Sequence, residues 1–274
     1  MTCLACPVRR CGEPLSRQGA QWRCPRGHSF DVARRGYVNL LQPQDRKAAA
    51  PGDTRAAVEA RAALLAAGIG AYLIDAVIAQ VEALPVDRGV ALDIGAGTGD
   101  LLGRLAGGDR WSGVGLDLST PAVEHAARAY PAVTWVVANA DRRLPLLDGS
   151  VDLVLSAHAR RNPGECARVL RPGGWLIVAV PAADDLIEVR AAVQGRGVSR
   201  DRMPALVVEH AGAFTLVRQV RAEERRWLGG TELRWLLQAT YRGARAAESA
   251  RVASLDALEM TLASDIGVFA RTTT

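Results

Sequence analysis

The sequence predicts an open α/β sheet preceded by a small cysteine-rich module, and three observations carry that prediction. Val90-Ala-Leu-Asp-Ile-Gly-Ala-Gly-Thr-Gly-Asp-Leu-Leu102 is an apolar run that ends in glycines and passes at once into a helical pattern, which reads as strand, tight turn and helix. Gly113-Val-Gly-Leu-Asp117 is a second strand that closes on an acid eighteen residues beyond Gly99. Four of the five cysteines, Cys3, Cys6, Cys11 and Cys24, lie in the first 24 residues, and Cys166 stands alone.

A chain of 274 residues can bury one good core and carry a small extra module. Hydrophobic residues make up 49% and charged ones 23%, the balance of a folded globular protein. The best apolar stretch, residues 62–74, is flanked by Arg61 and Asp75 and is too short to span a bilayer, which needs about 18 residues. No basic segment typical of a signal peptide precedes it, so a soluble, cytoplasmic protein with no membrane partner is expected. Residues 1–50 hold nine Arg or Lys against three acids, a local balance of +6, and the other 224 residues therefore sum to −1. A concentrated basic segment is the electrostatic footprint of a nucleic-acid contact.

The first module is assigned to residues 1–42. Cysteines crowded into a chain with no export signal favour a metal site over disulfides. Cys6-x4-Cys11, twelve residues, then Cys24-x3-His28 supply two short-spaced pairs, enough to surround zinc with three thiolates and an imidazole. Cys3-x2-Cys6 is a competing first pair. So small a module buries little apolar surface, and structural zinc, worth roughly 10–16 kcal/mol in finger peptides, supplies much of its stability. Residues 30–41, apolar at 30, 32, 38, 40 and 41, suggest a short strand packed on the finger. Residues 43–84 are read as a linker and helical segment: Pro43, Pro51 and Gly52 mark the linker to 53, followed by helices over 54–67 and 71–84.

Residues 85–274 then alternate as an open α/β sheet should. Strands are expected near 90–94, 113–117, 133–138, 152–156 and 174–180, and helices near 99–106, 120–129, 163–170 and 184–194. Pro121 sits in a first helical turn, where its missing N–H costs nothing. Arg171-Pro-Gly-Gly174 turns the chain into the fifth strand. Residues 214–220 and 260–269 are candidate closing strands around a helix near 230–245.

The chemistry starts at the glycines. They permit a turn that side chains resist and let a bulky ligand approach the peptide groups, while Asp117 can accept two ribose hydroxyls, so the pair points to a nucleoside-bearing cofactor. The spacing is G-x-G-x-G, whereas the dinucleotide fingerprint is G-x-G-x-x-G. With Asp93 just before it, the segment resembles the first motif of S-adenosylmethionine-dependent methyltransferases.

Further motifs make the resemblance specific. Cys6-x4-Cys11 and Cys24-Pro-x-x-His28 are followed by Phe30-Asp-x-Ala-x-x-Gly-Tyr-Val-Asn-Leu-Leu41, Pro51-Gly-Asp53 and Ala60-Arg-x-x-Leu-Leu65. Together with Asp93 to Gly99 they resemble the 23S ribosomal RNA (guanine-N1)-methyltransferases, whose actinobacterial members include macrolide-resistance enzymes. The similarity runs to about residue 190. It implies a class I, Rossmann-like fold with a seven-stranded, mostly parallel sheet whose last strand is antiparallel, S-adenosylmethionine as cofactor, and structural Zn2+. It also implies that Gly95, Gly97 and Thr98 flank the methionine part of the cofactor, with Asp93 and Gly99 among the cofactor-binding residues. Asp117 and Leu118 fall to the ribose, Asn139 and Asp141 to the adenine, and Asp185 is counted with the cofactor-binding residues.

Methyl transfer from a sulfonium is an in-line displacement, so the protein must hold donor and acceptor in line and exclude water. Guanine N1 carries a proton that has to leave. The loop Ser156-Ala-His-Ala-Arg-Arg-Asn-Pro163 falls where this fold places the target base, with His158 as a candidate base, Asn162 for a base edge and Arg161 for a phosphate. The implied partner is a 23S stem-loop with splayed bases, guanine 748 favoured over 745, with antibiotic self-resistance as a role and a homodimer left open. Two departures bear on the pocket. Gly68-Ile-Gly70, with Tyr72 displaced by two, replaces the family's Gly-His-Tyr, and Asp184-Asp185 stands where a histidine is usual. A small-molecule methyltransferase and a non-catalytic RNA-binding relative are the alternatives.

Overall fold

The period-two apolar runs of the chain become one sheet in the computed structural model, which describes residues 3–43, 52–194, 200–240 and 256–272. Its five parallel core strands are β5 (Gly89–Ile94), β6 (Trp111–Asp117), β7 (Thr134–Val137), β8 (Val151–Ala157) and β9 (Leu170–Pro181). Two long strands, β10 (Phe214–Gly229) and β11 (Ala257–Arg271), close the sheet in the order β10-β11-β9-β8-β5-β6-β7. β11 runs antiparallel to both β9 and β10, as the resemblance implied. Connecting helices α3 (Asp100–Leu105), α4 (Thr120–Ala129) and α5 (Pro163–Val169) follow β5, β6 and β8. The strand order reverses between β5 and β8, so a crevice opens at their carboxyl ends, where ligands bind in such sheets.

Each helix start has a local cause. Ser119 caps α4, its Oγ accepting the Ala122 N–H at 3.2 Å, with Pro121 in the first turn. Thr54 caps α1 (Arg55–Ala66) through the Ala57 N–H. α2 (Ala71–Glu82) follows at a 77° bend, and among the described residues no single helix is long and apolar enough to cross a membrane. The linker expected over 42–53 lies partly outside the described residues. Its end docks firmly, because Ser119 Oγ donates to the Asp53 carbonyl at 2.6 Å.

The zinc-type module is stitched into the sheet. It folds as a three-stranded antiparallel sheet of β1 (Ser16–Gln18), β2 (Gln21–Arg23) and β3 (Ser29–Asp31). Ala5 N donates to the Pro145 carbonyl and Leu147 N to the Cys3 carbonyl, both at 2.9 Å. Leu4, Leu15, Val38 and Leu40 are buried in the same cluster as Ile94, Leu116 and Val136. The strand expected to pack on the finger does more than that. β4 (Tyr37–Asn39) pairs in parallel with β7 and becomes an eighth strand, while a Val32–Val38 bridge ties it back to the module. The physical reason is that Val38 and Leu40 face the core, and the β7 edge otherwise carries unpaired backbone groups.

Three further differences concern the carboxyl-terminal half. The strand expected over 214–220 continues to Gly229, with inward-facing Glu224 and Arg226 interrupting the apolar alternation. The helix expected over 184–194 starts later, as α6 (Ile187–Gln194), after Leu186 adopts a φ of 54°. α7 (Met203–His210) was not expected from the sequence, and α8 covers Gly230–Thr240, residues 241–245 of the expected helix lying outside the described residues. The opposite face of the central strands packs α2, α3 and α4, with Trp135 among the largest fully buried side chains.

Candidate functional site

Backbone conformation builds the first half of the site. Gly95, Gly97 and Gly99 all have positive φ, at 72°, 57° and 87°. At Gly99 a Cβ would sit 2.7 Å from both Ala126 and the Trp135 ring, so only glycine lets the turn press onto α4 and β7. At Gly95 a Cβ would meet the Ala159 side chain at 2.3 Å, which keeps the loop after β8 against the turn. Thr98 is buried beside them.

Two acids follow. Asp117 at the end of β6 accepts the Gly97 N–H at 2.9 Å and the Ser119 N–H at 2.8 Å, one on each carboxylate oxygen. Each oxygen keeps a second lone pair, which suits a pair of ribose hydroxyls. Leu118 is half-buried beside it. Asp93 is 3% exposed and makes no hydrogen bond or ion pair among the described residues; burial, and then the charge of Asp117, push its pKa up to about 7. An unpartnered buried carboxylate beside a second one calls for a cation, and the ammonium and sulfonium of S-adenosylmethionine supply that charge. The residues therefore fit the cofactor. At the next strand end Asn139 is buried and its Oδ1 accepts the Asp141 N–H at 2.9 Å, while Asp141 pairs with Arg160 at 2.8 Å.

Arg61, part of the Ala60–Leu65 motif, enters the site with a role that the local sequence does not announce. It reaches from α1 over the glycine turn, with Nη1 on Asp53 at 2.9 Å and Nη2 donating to the Ala239 carbonyl at 3.1 Å. A Cβ on Gly97 would lie 3.2 Å from that Nη1, so a guanidinium stands over the turn where an anionic end of a ligand could meet it. The signal in the sequence was Asp53 just before a helix cap, with Arg61 two turns on.

The loop after β8 places His158 with a φ of 52° at the open end of the central strand. Its Nε2 lies 2.9 Å from Ser264 Oγ, which in turn lies 3.3 Å from the Tyr72 hydroxyl. This Tyr72–Ser264–His158 chain joins α2, β11 and β8, and local pattern gives no hint of it. His158 is held well down, to about 4, first by the surrounding protein and then by the Arg202 and Arg61 cations, all acting in one direction. Tyr72 is pushed up to about 12 by burial. Asp185 stands beside this chain, accepting the Ala263 N–H at 3.0 Å, with burial raising it to about 6. Asp184 instead pairs with Arg221 at 2.7 Å.

The neighbouring pair is more structural than its sequence suggests. Asn162 caps α5, its Oδ1 accepting the Gly164 and Glu165 N–H groups at 3.1 and 3.3 Å, which leaves only Nδ2 for a base. The Arg161 side chain is 11% exposed and directs its nitrogens to His210, the Ala159 carbonyl and Glu209. A phosphate would have to displace those partners.

In the amino-terminal module, Cys6, Cys11, Cys24 and His28 bring their ligand atoms within 4.8 Å of one another. The Cys11–Cys24 sulfurs are 3.9 Å apart and His28 Nδ1 is 3.3 Å from Cys24 Sγ and 3.5 Å from Cys6 Sγ. Ligands about 2.3 Å from a tetrahedral zinc stand about 3.8 Å from one another, so the group fits that ion. Cys3 is outside this group, and its carbonyl accepts the Leu147 N–H in the segment between β7 and β8. Around it Arg9, Arg10, Arg17, Arg23, Arg26, Arg34 and Arg35 are all exposed.

Known proteins agree with this architecture. Residues 4–49 match the family model described as "RlmA, N-terminal", a zinc ribbon, and residues 91–174 match a "Methyltransferase domain". The 23S rRNA (guanine(748)-N(1))-methyltransferase of Streptomyces fradiae is 42% identical over 221 residues, 80% of this chain and 77% of that protein. A Bacillus subtilis protein assigned as a 23S rRNA (guanine-N(1)-)-methyltransferase is 34% identical over 224 residues, 78% and 77% of the two chains. Among solved structures, a Bacillus halodurans protein assigned as a methyltransferase superposes with a TM-score of 0.53 at 16% identity, over 73% of this chain and 98% of its own, which speaks for the fold. The chain belongs to the S-adenosylmethionine-dependent 23S rRNA (guanine-N1)-methyltransferases that carry an amino-terminal zinc ribbon.

Proposed function

We propose that this enzyme methylates N1 of a guanine in a 23S rRNA stem-loop, at the position of the 748 type, and that the modification confers antibiotic self-resistance. The observation that carries the reading is the coupling of a cofactor turn, with its unpartnered Asp93, to a basic zinc ribbon through shared strands. The 748 assignment leans on the name of the Streptomyces fradiae relative. S-adenosylmethionine, when bound, supplies an electrophilic methyl group.

The chain's own residues divide the remaining work. Asp93, Gly95, Gly97, Thr98 and Gly99 hold the methionine end, with Arg61 over its carboxylate, Asp117 and Leu118 the ribose, Asn139 and Asp141 the adenine, and Asp185 the far wall. His158 is neutral at physiological pH. With Nε2 donating to Ser264, its Nδ1 keeps a lone pair that accepts the N1 proton. Asn162 offers Nδ2 to a base edge, and Arg161 positions the loop. Residues 1–42 recognise RNA, the linker and helical segment 43–84 brings Arg61 over the cofactor turn, and 85–274 carry the chemistry.

Labelled methyl transfer onto 23S rRNA from a strain lacking this modification tests the reading. Incorporation into the RNA, with raised macrolide tolerance in a sensitive host expressing the enzyme, is expected. Activity on a metabolite pool without RNA incorporation would overturn it.

A further inference from the structure

Between the loop after β8 and α7 lies a cleft of about 410 Å³ that the cofactor assignments leave unused. His158, Pro181, Arg202, Leu206 and Glu209 line it. We propose that this cleft receives the target guanine, flipped out of its RNA stack, with Glu209 accepting a hydrogen bond from the exocyclic N2 amine and Arg202 donating to O6. The proposal rests on the guanine-N1 reading above and adds the residues that select guanine.

The spacing suits a purine edge. Arg202 stands at the N-cap position of α7 without a capping bond of its own, and Glu209 lies seven residues on, two helical turns along one face, which separates their backbone positions by about 10.5 Å along the axis. That interval leaves room for the Watson–Crick edge of a base with a hydrogen bond of about 2.9 Å at each end. The acceptor O6 and the N2 amine stand on either side of guanine N1, so a donor at one end and a carboxylate at the other present N1 between them. His158 lines the same cleft and is the group assigned to that proton.

Both end groups are held and still have capacity. Arg202 Nη1 donates to the Pro181 carbonyl at 3.0 Å, which fixes the guanidinium beside the cleft and spares its other nitrogens. Glu209 is 49% exposed; its Oε2 lies 3.5 Å from Arg161 Nη2, and its Oε1 has no partner among the described residues. The buried Arg161 thus acts as a positioning residue for Glu209. Pro181 and Leu206 offer apolar surface for the faces of the base, as pockets for flipped bases do. Adenine would set its N6 amine against Arg202 and leave Glu209 without a donor, so the same two residues that accept guanine reject adenine.

Inosine, which keeps O6 and N1–H but lacks the N2 amine, isolates the Glu209 contact. Full-length, zinc-loaded enzyme is assayed for kcat/KM on a stem-loop carrying guanine or inosine at the target. Wild type prefers guanine by about 10- to 100-fold, the worth of one hydrogen bond to a charged acceptor. Glu209→Ala loses about that factor on guanine and little on inosine, so the preference falls to within about threefold. Arg202→Ala lowers both substrates alike, by about tenfold, because both keep O6. Unchanged S-adenosylmethionine affinity by calorimetry certifies that each variant is folded. Equal losses on guanine and inosine in Glu209→Ala, with wild type active, overturn the cleft assignment alone. A wild-type enzyme that methylates neither RNA overturns it together with the reading it rests on.

Discussion

Replacing Asp93 by Asn should remove a pH dependence of stability that the wild-type apoenzyme carries. Asp93 is buried at the end of β5 beside Asp117, without a hydrogen bond or ion pair among the described residues, and its pKa rises from 3.8 to about 7. A carboxyl raised in the folded state holds more protons than the unfolded chain between those two values. Its stabilising contribution is therefore complete below pH 3.8 and is lost as pH climbs through about 7. Between pH 5 and 8 the loss from this one group amounts to about 3 kcal/mol. Asn cannot ionise, so the urea-unfolding free energy of Asp93→Asn, measured with zinc bound across that range, should fall less steeply than wild type by that amount. Other titrating groups, including Asp185 and His158, are present in both proteins and cancel in the difference. Saturating S-adenosylmethionine places positive charge near Asp93, favours the carboxylate, and should flatten the wild-type curve as well. Parallel pH profiles for the two proteins without cofactor would refute the reasoning.

Further outcomes follow from the geometry. Cys24→Ser should lower bound zinc, read by atomic absorption, from about one equivalent to well below half; it should also loosen β4, read by hydrogen exchange at Val38 and Leu40, because the ribbon and the sheet share a core. His158→Ala should cut kcat by about 10- to 100-fold, less than a base matched to neutral pH supplies because the Arg202 and Arg61 cations disfavour its protonated form, and Ser264→Ala by about tenfold with the RNA KM nearly unchanged. The double variant should match His158→Ala alone, whereas a merely structural Ser264 would add its own loss; and since His158 is held near 4, the wild-type kcat should not lose a histidine limb between pH 7.5 and 6.

Features that depend on near neighbours in the chain were legible in the sequence. The Cys6–Cys11 and Cys24–His28 pairs close locally, and the structure needs only to fold the two turns together. The glycine turn and the alternation from β5 to β9 are likewise short-range, and so is Asp117 at the end of its strand. Asn162 could have been read as a helix cap, since Pro163 follows at the first helical position and Glu165 at the third, the capping-box position. What escaped is long-range or atypical. Pairing of β4 with β7 joins segments about a hundred residues apart, and Ser264 meets His158 across 106. α7 carries Pro204 and a Val207-Val208 pair that obscure its helical period, and β10 turns polar residues inward after Ala222, with Arg226 satisfied by the Ala67 carbonyl.

Methylation of guanine N1 blocks base pairing, so a primer-extension map reads the central claim directly. Reverse transcription of 23S rRNA treated with this enzyme and S-adenosylmethionine should stop at one guanine in a stem-loop, of the 748 type, and the stop should vanish with His158→Ala. Full-length extension through every guanine, in a reaction where the enzyme binds the cofactor, would contradict the account.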